Sequence, residues 1–515
     1  MWCRVFFLVT LLTLTSCAAI KPQPVKPLPD VQLAGLTCEA GLALLHKQVV
    51  QANVQDAQLH PIPGTAYLGI NRFLLSLVTH IKTPTQQQAW LNELIRVNQT
   101  KWQVEIANLT GQTPHPWHQY VNSCLAKHAE KLVNNQYFFT QLTQMVPPNA
   151  YQQWAQIAGI YPITQYFLVP GIKKWHEDVH QQFNQPLTGA MQVYSPEPSA
   201  TAVLSNHPSG QPRSKNHQPI NPKRLKQWLT KASKQHPLKL PQLSTIQLEQ
   251  LAQSFAPHWA IQQQGQFDLP GTPVWQNNQW SISPEKTTVY WRPSYTTIQG
   301  QHLLQLNYFI WFSERPANHW FDILAGNIDG VIWRVTLDTD GIPLLYDTIH
   351  SCGCYHTFMP VSDRLVAKPT SGQLEPPLII QKPTNTIPTV KHKLSSTTLQ
   401  SAVVAVNSID HWVLGVGHFP ISAMHTYQLK PYDNLRSLAI SPQQRKNLFD
   451  NAGFIKGTER PERWLFWPSG VPSAGTMRQW GHHATAFIGE RYFDDPALIE
   501  KLFSYHSEQI KQPKQ

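Results

Sequence analysis

Apolar residues recur at helical spacing through the first third of this chain and switch to runs and alternation further on. Trp90, Leu91, Leu94 and Ile95, then Trp102, Val104 and Ile106, follow the i, i+3, i+4 rule of an amphipathic helix. Thr83-Pro84-Thr85-Gln86 opens it, with threonine as N-cap, proline in the first turn and glutamine at N3. A second helix is predicted over Trp117–Leu132, carrying Cys124. Pro147-Pro148-Asn149 reads as the end of one helix and the cap of another, around Ala150 to Ile157. Ser244-Thr245-Ile246-Gln247 is a further capping box, for a helix to Phe255. Strands are predicted at Leu303–Phe312, Val331–Leu337, Ile342–Ile349, Ser401–Val406 and His411–His418, and a short helix at about Ala497 to Phe503. Asp338-Thr339-Asp340-Gly341 makes a hairpin turn; as a calcium loop it is degenerate, with Thr336 in the first ligand position and Asp347 in the last. The pattern predicts an α+β fold, an N-terminal helical, bundle-like region followed by a mainly antiparallel β-rich region.

The start of the chain is different. Val5 to Leu14 is an apolar run behind Arg4, too short for the roughly 20 residues of a spanning helix. It has the size and flanks of a secretory h-region. Its end, Leu14-Thr15-Ser16-Cys17, resembles the lipobox of bacterial lipoprotein signal peptides. That resemblance implies cleavage before Cys17, a diacylglycerol thioether on its sulfur and a fatty acyl group on its amine. With Ala18 next, it also implies delivery to the outer membrane of a Gram-negative cell, facing the periplasm. Residues 1–16 are then signal peptide, and 17–35, with Lys21-Pro22-Gln23-Pro24 and Pro27-Leu28-Pro29, a semi-rigid proline tether. The body divides into a helical region at 36–184, a basic, loop-rich insertion or linker at 185–243, and a β-rich domain at 244–515.

Composition narrows the partners. Charged residues are 14% of the chain, against about a quarter in ordinary globular proteins, and net charge is +11. No Asp or Glu lies between Glu197 and Glu249, a stretch that holds Arg213, Lys215, Lys223, Arg224, Lys226, Lys231, Lys234 and Lys239. The partners expected are the lipid bilayer, through acylated Cys17, and an anionic envelope polymer or lipid; nucleic acid is not expected. There is no Walker loop, no His-Glu-x-x-His and no Gly-x-Ser-x-Gly, so the motifs of the commonest nucleotide, zinc-protease and serine-hydrolase sites are missing.

Candidate chemistry concentrates in His350-Ser351-Cys352-Gly353-Cys354-Tyr355-His356. On an extended strand these two His and two Cys all face one way, a donor set suited to zinc or copper. Residues six apart on a strand are about 20 Å apart, so one shared ion requires a bend, and Gly353 is where a bend is placed. His418, His482 and His483 are the further candidate ligands. Two other readings stand beside the metal: a Cys-x-Cys redox pair, and buried cysteines that only pack. Cys38 and Cys124, both in helical text, are the natural disulfide partners in an oxidising compartment. The body, from Trp333-Arg334-Val335-Thr336-Leu337 through His356 and again at Arg478 to Asp495, resembles uncharacterised proteobacterial proteins, and that resemblance supplies no catalytic residue. The leading expectation is a periplasmic envelope binding or scaffolding lipoprotein; the alternative is a metal-binding protein or metal-dependent enzyme.

Overall fold

A computed structural model of the chain describes residues 36–147, 149–183, 185, 189–198, 220–369, 374–380, 401–417 and 425–506. Cys17, the tether and His418 lie outside them. The architecture is α+β, with helices preceding a large mixed sheet.

The helix Pro84–Thr110 begins at the capping box read from the sequence: Thr83 Oγ1 accepts from the Gln86 amide, and the Gln86 side chain returns to the Thr83 amide. Trp90, Leu91, Leu94 and Trp102 bury its inner face against Leu42, Leu45 and Val49 of the helix Cys38–Gln51 and Val121 and Leu125 of the helix Pro116–Leu132. Cys38 and Cys124 are disulfide-bonded, tying these last two helices together. The helical text also conceals a small hairpin, His60–Ile62 with Thr65–Ile70, which turns at Gly64. Asn149 is not the helix cap expected of it. Its side chain accepts from Tyr151 N and donates to Glu490, forming a turn, and the next helix is the short Gln153–Ala158.

Thirteen strands among the described residues form one sheet. In chain order they are β1 Met191–Pro196, β2 His258–Gln262, β3 Pro270–Gln276, β4 Gln279–Ser283, β5 Thr288–Ile298, β6 Gln301–Arg315, β7 Gly326–Leu337, β8 Pro343–His350, β9 Thr357–Pro360, β10 Leu378–Ile379, β11 Val403–Val406, β12 Val413–Gly417 and β13 His425–Pro431. Their spatial order is β10-β9-β8-β7-β6-β5-β13-β1-β2-β11-β12, with β3 beside β6 and β4. The centre, β5 to β9, is an antiparallel meander, whereas β13 runs parallel to both its neighbours.

β6 reads as a continuous apolar run because both of its faces are covered. Leu304, Leu306, Tyr308, Ile310 and Phe312 pack on one side with Leu225, Leu229, Leu251 and Phe255 of the helices Pro222–Gln235 and Thr245–Phe255. Phe309 and Trp311 pack on the other side with Tyr432, Leu448, Phe449, Met477, Trp480 and Phe493. The stretch 185–243, read as an insertion or linker, thus supplies an interior strand and a core helix. The helix's own lysines, Lys223, Lys226, Lys231 and Lys234, sit on its outer face, where Lys226 pairs with Asp340 at 2.9 Å.

Candidate functional site

The His350–His356 segment does not continue as a strand. β8 ends at His350, and the chain turns through Ser351, Cys352 and Gly353. The His350 amide donates to Cys354 O at 3.0 Å and the Gly353 amide to His350 O at 2.8 Å, closing the turn. Gly353 has φ +95°, and a Cβ there would lie 2.4 Å from the Ala484 carbonyl oxygen, so both conformation and space demand glycine. The four-donor face expected of an extended strand therefore does not form; Gly353 bends the chain, as its position suggested.

A buried carboxylate lies beside each end of the turn, and of the two histidines only His356 bonds to one. His356 Nε2 lies 2.8 Å from Asp347 Oδ2, and Arg334 grips the same carboxylate through Nε at 2.9 Å and Nη2 at 2.6 Å. His350 Nδ1 lies 3.7 Å from Asp329 Oδ1, which Arg460 Nη2 approaches at 3.0 Å, while His411 Nδ1 meets Asp329 Oδ2 at 2.8 Å. Burial raises both aspartates, but for Asp329 it is overridden by Arg460, His350 and His411, and for Asp347 by Arg334 and His356, so both stay below the usual carboxylate range. Burial pushes both histidines down to about 4. Both rings are neutral, and His356 anchors its end of the loop on Asp347.

His482 faces away from the turn, whereas His483 lies beside Ser351 but bonds neither cysteine. His482 Nε2 reaches Ala57 O at 2.7 Å, on the helical region, and His483 is buried beside Phe493. No three His, Cys, Asp or Glu side chains among the described residues are arranged to hold a metal ion. The polar groups of the C-terminal stretch are likewise dispersed: Arg478 donates to Pro472 O at 2.6 Å, Asp494 meets Arg72 at 3.4 Å and Asp495 meets Lys501 at 2.6 Å.

What the turn does present is a pair of thiols to a cavity of about 330 Å³. The walls are apolar and aromatic, including Trp175 and Leu168 of the helix Tyr161–Gln182, Trp412, Phe466 and Phe487. Cys352, Cys354 and Glu462 share this lining. Cys352 is buried and Cys354 half-buried, and they are not bonded to each other. The Cys354 amide donates to Cys352 Sγ at 3.5 Å. A hydrogen bond from the Cys354 thiol, helped by the Arg460 charge, lowers the Cys352 thiol; that same bond, with burial, pushes Cys354 well up.

Glu462 was invisible to motif reasoning. It is 3% exposed and lines the cavity, and its carboxylate has no hydrogen-bond partner among the described residues. Burial pushes it up to about 7 against the pull of Arg460, Arg315 and Arg478. Its side chain fits only because residue 475 is glycine: a Cβ there would overlap Glu462 Oε1. Glu375, also in the lining, is satisfied by the amides of Phe487 and Ile488.

The cavity adjoins an exposed apolar surface. Trp154, Ile157, Ile160, Ile163, Tyr166 and Phe167 stand out from the helices Gln153–Ala158 and Tyr161–Gln182 and their junction, with Phe167 at 79%. Trp464 and Leu465 are exposed immediately before Phe466 of the lining, and Trp320 and Phe321 just before Ile323. The segments pack together: Gln152 N donates to Gly470 O at 2.7 Å and Tyr161 Oη to Phe487 O at 2.8 Å. Exposed patches of this kind on a folded protein mark interaction surfaces. Comparison with family models, curated proteins and solved structures finds no match to this chain.

Proposed function

We propose that this is an envelope lipoprotein, anchored in the outer membrane through acylated Cys17, that binds a lipid-like, mainly apolar ligand in the cavity beside Cys352 and Cys354. One observation carries the reading: an apolar cavity of about 330 Å³ whose lining runs directly into exposed Trp, Tyr, Phe and Ile side chains. Aromatic and aliphatic side chains in that setting suit the boundary between headgroups and acyl chains. A few polar groups inside an otherwise apolar pocket are the usual means of orienting a small ligand.

Gly171 provides the test. It lines the cavity on the helix Tyr161–Gln182, and a Cβ there would meet open space. Gly171→Phe is expected to fill the cavity without clash. The affinity for N-phenyl-1-naphthylamine, measured by fluorescence titration, should fall about tenfold or more, equivalent to about 1.4 kcal/mol. The thermal midpoint should not fall. Undiminished probe binding would place the ligand elsewhere and overturn the reading.

The anchor has its own test. Cys17→Ser is expected to move the protein from the detergent-soluble membrane fraction to the soluble fraction, or to leave it with its signal peptide uncut. Metabolic labelling with an alkynyl palmitate analogue should disappear in that variant. Equal labelling of both proteins would exclude acylation at this position.

A further inference from the structure

The two thiols are the chemical feature that ligand binding leaves unused. They sit on one tight turn, locked from outside by Ser351 N donating to Gly330 O at 2.7 Å and Arg478 N donating to Ser351 O at 2.8 Å. The His350 amide closes the turn on Cys354 O at 3.0 Å, and the His356 side chain fixes the other end on Asp347. A disulfide spans Cα atoms about 4.4–6.8 Å apart, and a turn brings residues i and i+2 into that range more closely than an extended strand does. The Cys354 amide donates to Cys352 Sγ at 3.5 Å, and both side chains line the cavity. Beside them lies a buried carboxylate with no partner among the described residues, Glu462, close enough for its charge to act on both sulfurs.

We propose that Cys352 and Cys354 form a thiol–disulfide exchange pair, with Glu462 as proton acceptor, acting on a small disulfide compound that enters the cavity. The proposal rests on the cavity admitting a small ligand, as in the function proposed above. The roles of the two cysteines differ. Cys352 Sγ accepts the Cys354 amide at 3.5 Å, a bond that stabilises its thiolate, so it attacks first and Cys354 resolves. In the first step the Cys352 thiolate attacks one sulfur of the entering disulfide. A mixed disulfide forms, the original sulfur–sulfur bond breaks, and the departing sulfur takes up the proton that Cys352 released. In the second step Glu462 accepts the Cys354 proton and the Cys354 sulfur attacks Cys352. The mixed disulfide breaks, and the second sulfur leaves with the proton passed on by Glu462. Two cysteine thiols are oxidised to one disulfide, one small disulfide is reduced to two thiols, and two electrons and two protons are transferred.

The experiment uses the full mature chain, reduced at Cys352 and Cys354 and then exposed to bis(2-hydroxyethyl) disulfide. Peptide mass mapping of quenched samples is expected to show a Cys352–Cys354 disulfide in the wild type, with Cys38–Cys124 unchanged. Cys354→Ser should halt at a mixed disulfide, a 2-hydroxyethylthio adduct on Cys352. Glu462→Gln should form that adduct but close the ring about a hundredfold more slowly. Circular dichroism melts show that each variant is folded, and the wild-type reaction does not depend on any substitution. No ring closure in the wild type, or an adduct in Cys354→Ser that is absent from Cys352, overturns the proposal; closure at the wild-type rate in Glu462→Gln removes the carboxylate from it. Exchange absent with naphthylamine binding intact rejects this proposal alone. Exchange present with that binding lost rejects only the lipid-like ligand.

Discussion

Asp347→Asn is expected to remove about 3–5 kcal/mol of unfolding free energy, the cost of stranding one charge of a buried pair. Asp347 is fully buried and Arg334 is 2% exposed. The guanidinium makes two parallel bonds to the carboxylate, a third to Phe493 O at 2.6 Å, and lies 3.8 Å from the centre of the Phe493 ring. It cannot shed its proton to escape burial, so asparagine, with the same shape and no charge, leaves it uncompensated. Asparagine also offers one acceptor oxygen where the carboxylate offers two, so Arg334 and His356 compete for it and the C-terminal anchor of the thiol turn weakens. Urea unfolding followed by tryptophan fluorescence and circular dichroism measures the loss. The double variant Arg334→Met/Asp347→Leu, which removes both charges, should recover most of it. A loss below about 1 kcal/mol in Asp347→Asn would mean that the pair is open to solvent.

The same pair shows what could be read from the chain and what could not. The hairpin at Asp338–Gly341 was legible from local turn chemistry, but the irregularity between Pro343 and Leu345 that sets Asp347 opposite Arg334 was not. The helices at Pro84 and Thr245 were legible because capping is decided within four residues. Other features were set at long range. β6 and β7 look like generic apolar text, and only the third layer, Tyr432 to Phe493, explains why both faces are buried. The hairpin His60–Ile70 was missed because its strands are short and lie in helical text. The alternation of His350, Cys352, Cys354 and His356 suggested one strand face, and the correct signal was Gly353 alone. Asp329 and Glu462, which give that turn its setting, carry no sequence mark, because an acid that will be buried looks like one that will be solvated.

Acidification supplies the second large effect, and its sign follows from the histidines. Burial lowers His60 to about 3, with help from His482 and Arg72, and lowers His350 and His356 to about 4. All three are less than a tenth exposed. His176 and His302 are lowered to about 4 as well but reach solvent more, so their contribution is discounted. The unfolded chain protonates these rings near pH 6.5, whereas the native state keeps them neutral until about pH 4. Between those limits the unfolded state binds more protons, so their stabilisation is complete above about pH 6.5 and is lost as pH falls towards 4. Each pH unit of depression corresponds to about 1.4 kcal/mol per group at most. Glu462, raised to about 7 by burial, acts in the opposite direction: its native state gains a proton first, which adds stability as pH falls from about 7 towards 4.5. Glu105, Glu375, Asp494 and His411 are raised too and act in the same sense as Glu462, while His482 and His483 are lowered and add to the loss; the lowered rings outweigh the raised groups. Urea midpoints taken from about pH 7 to about pH 4.5 should therefore fall, with a net loss of several kcal/mol; a flat profile would contradict the buried, neutral histidines. In Glu462→Gln that residue's opposing contribution is absent and the acid loss should steepen. An unchanged slope would mean that Glu462 titrates in the ordinary carboxylate range, with solvent or a partner beside it, and that it is not held neutral in the apolar wall of the thiol cavity.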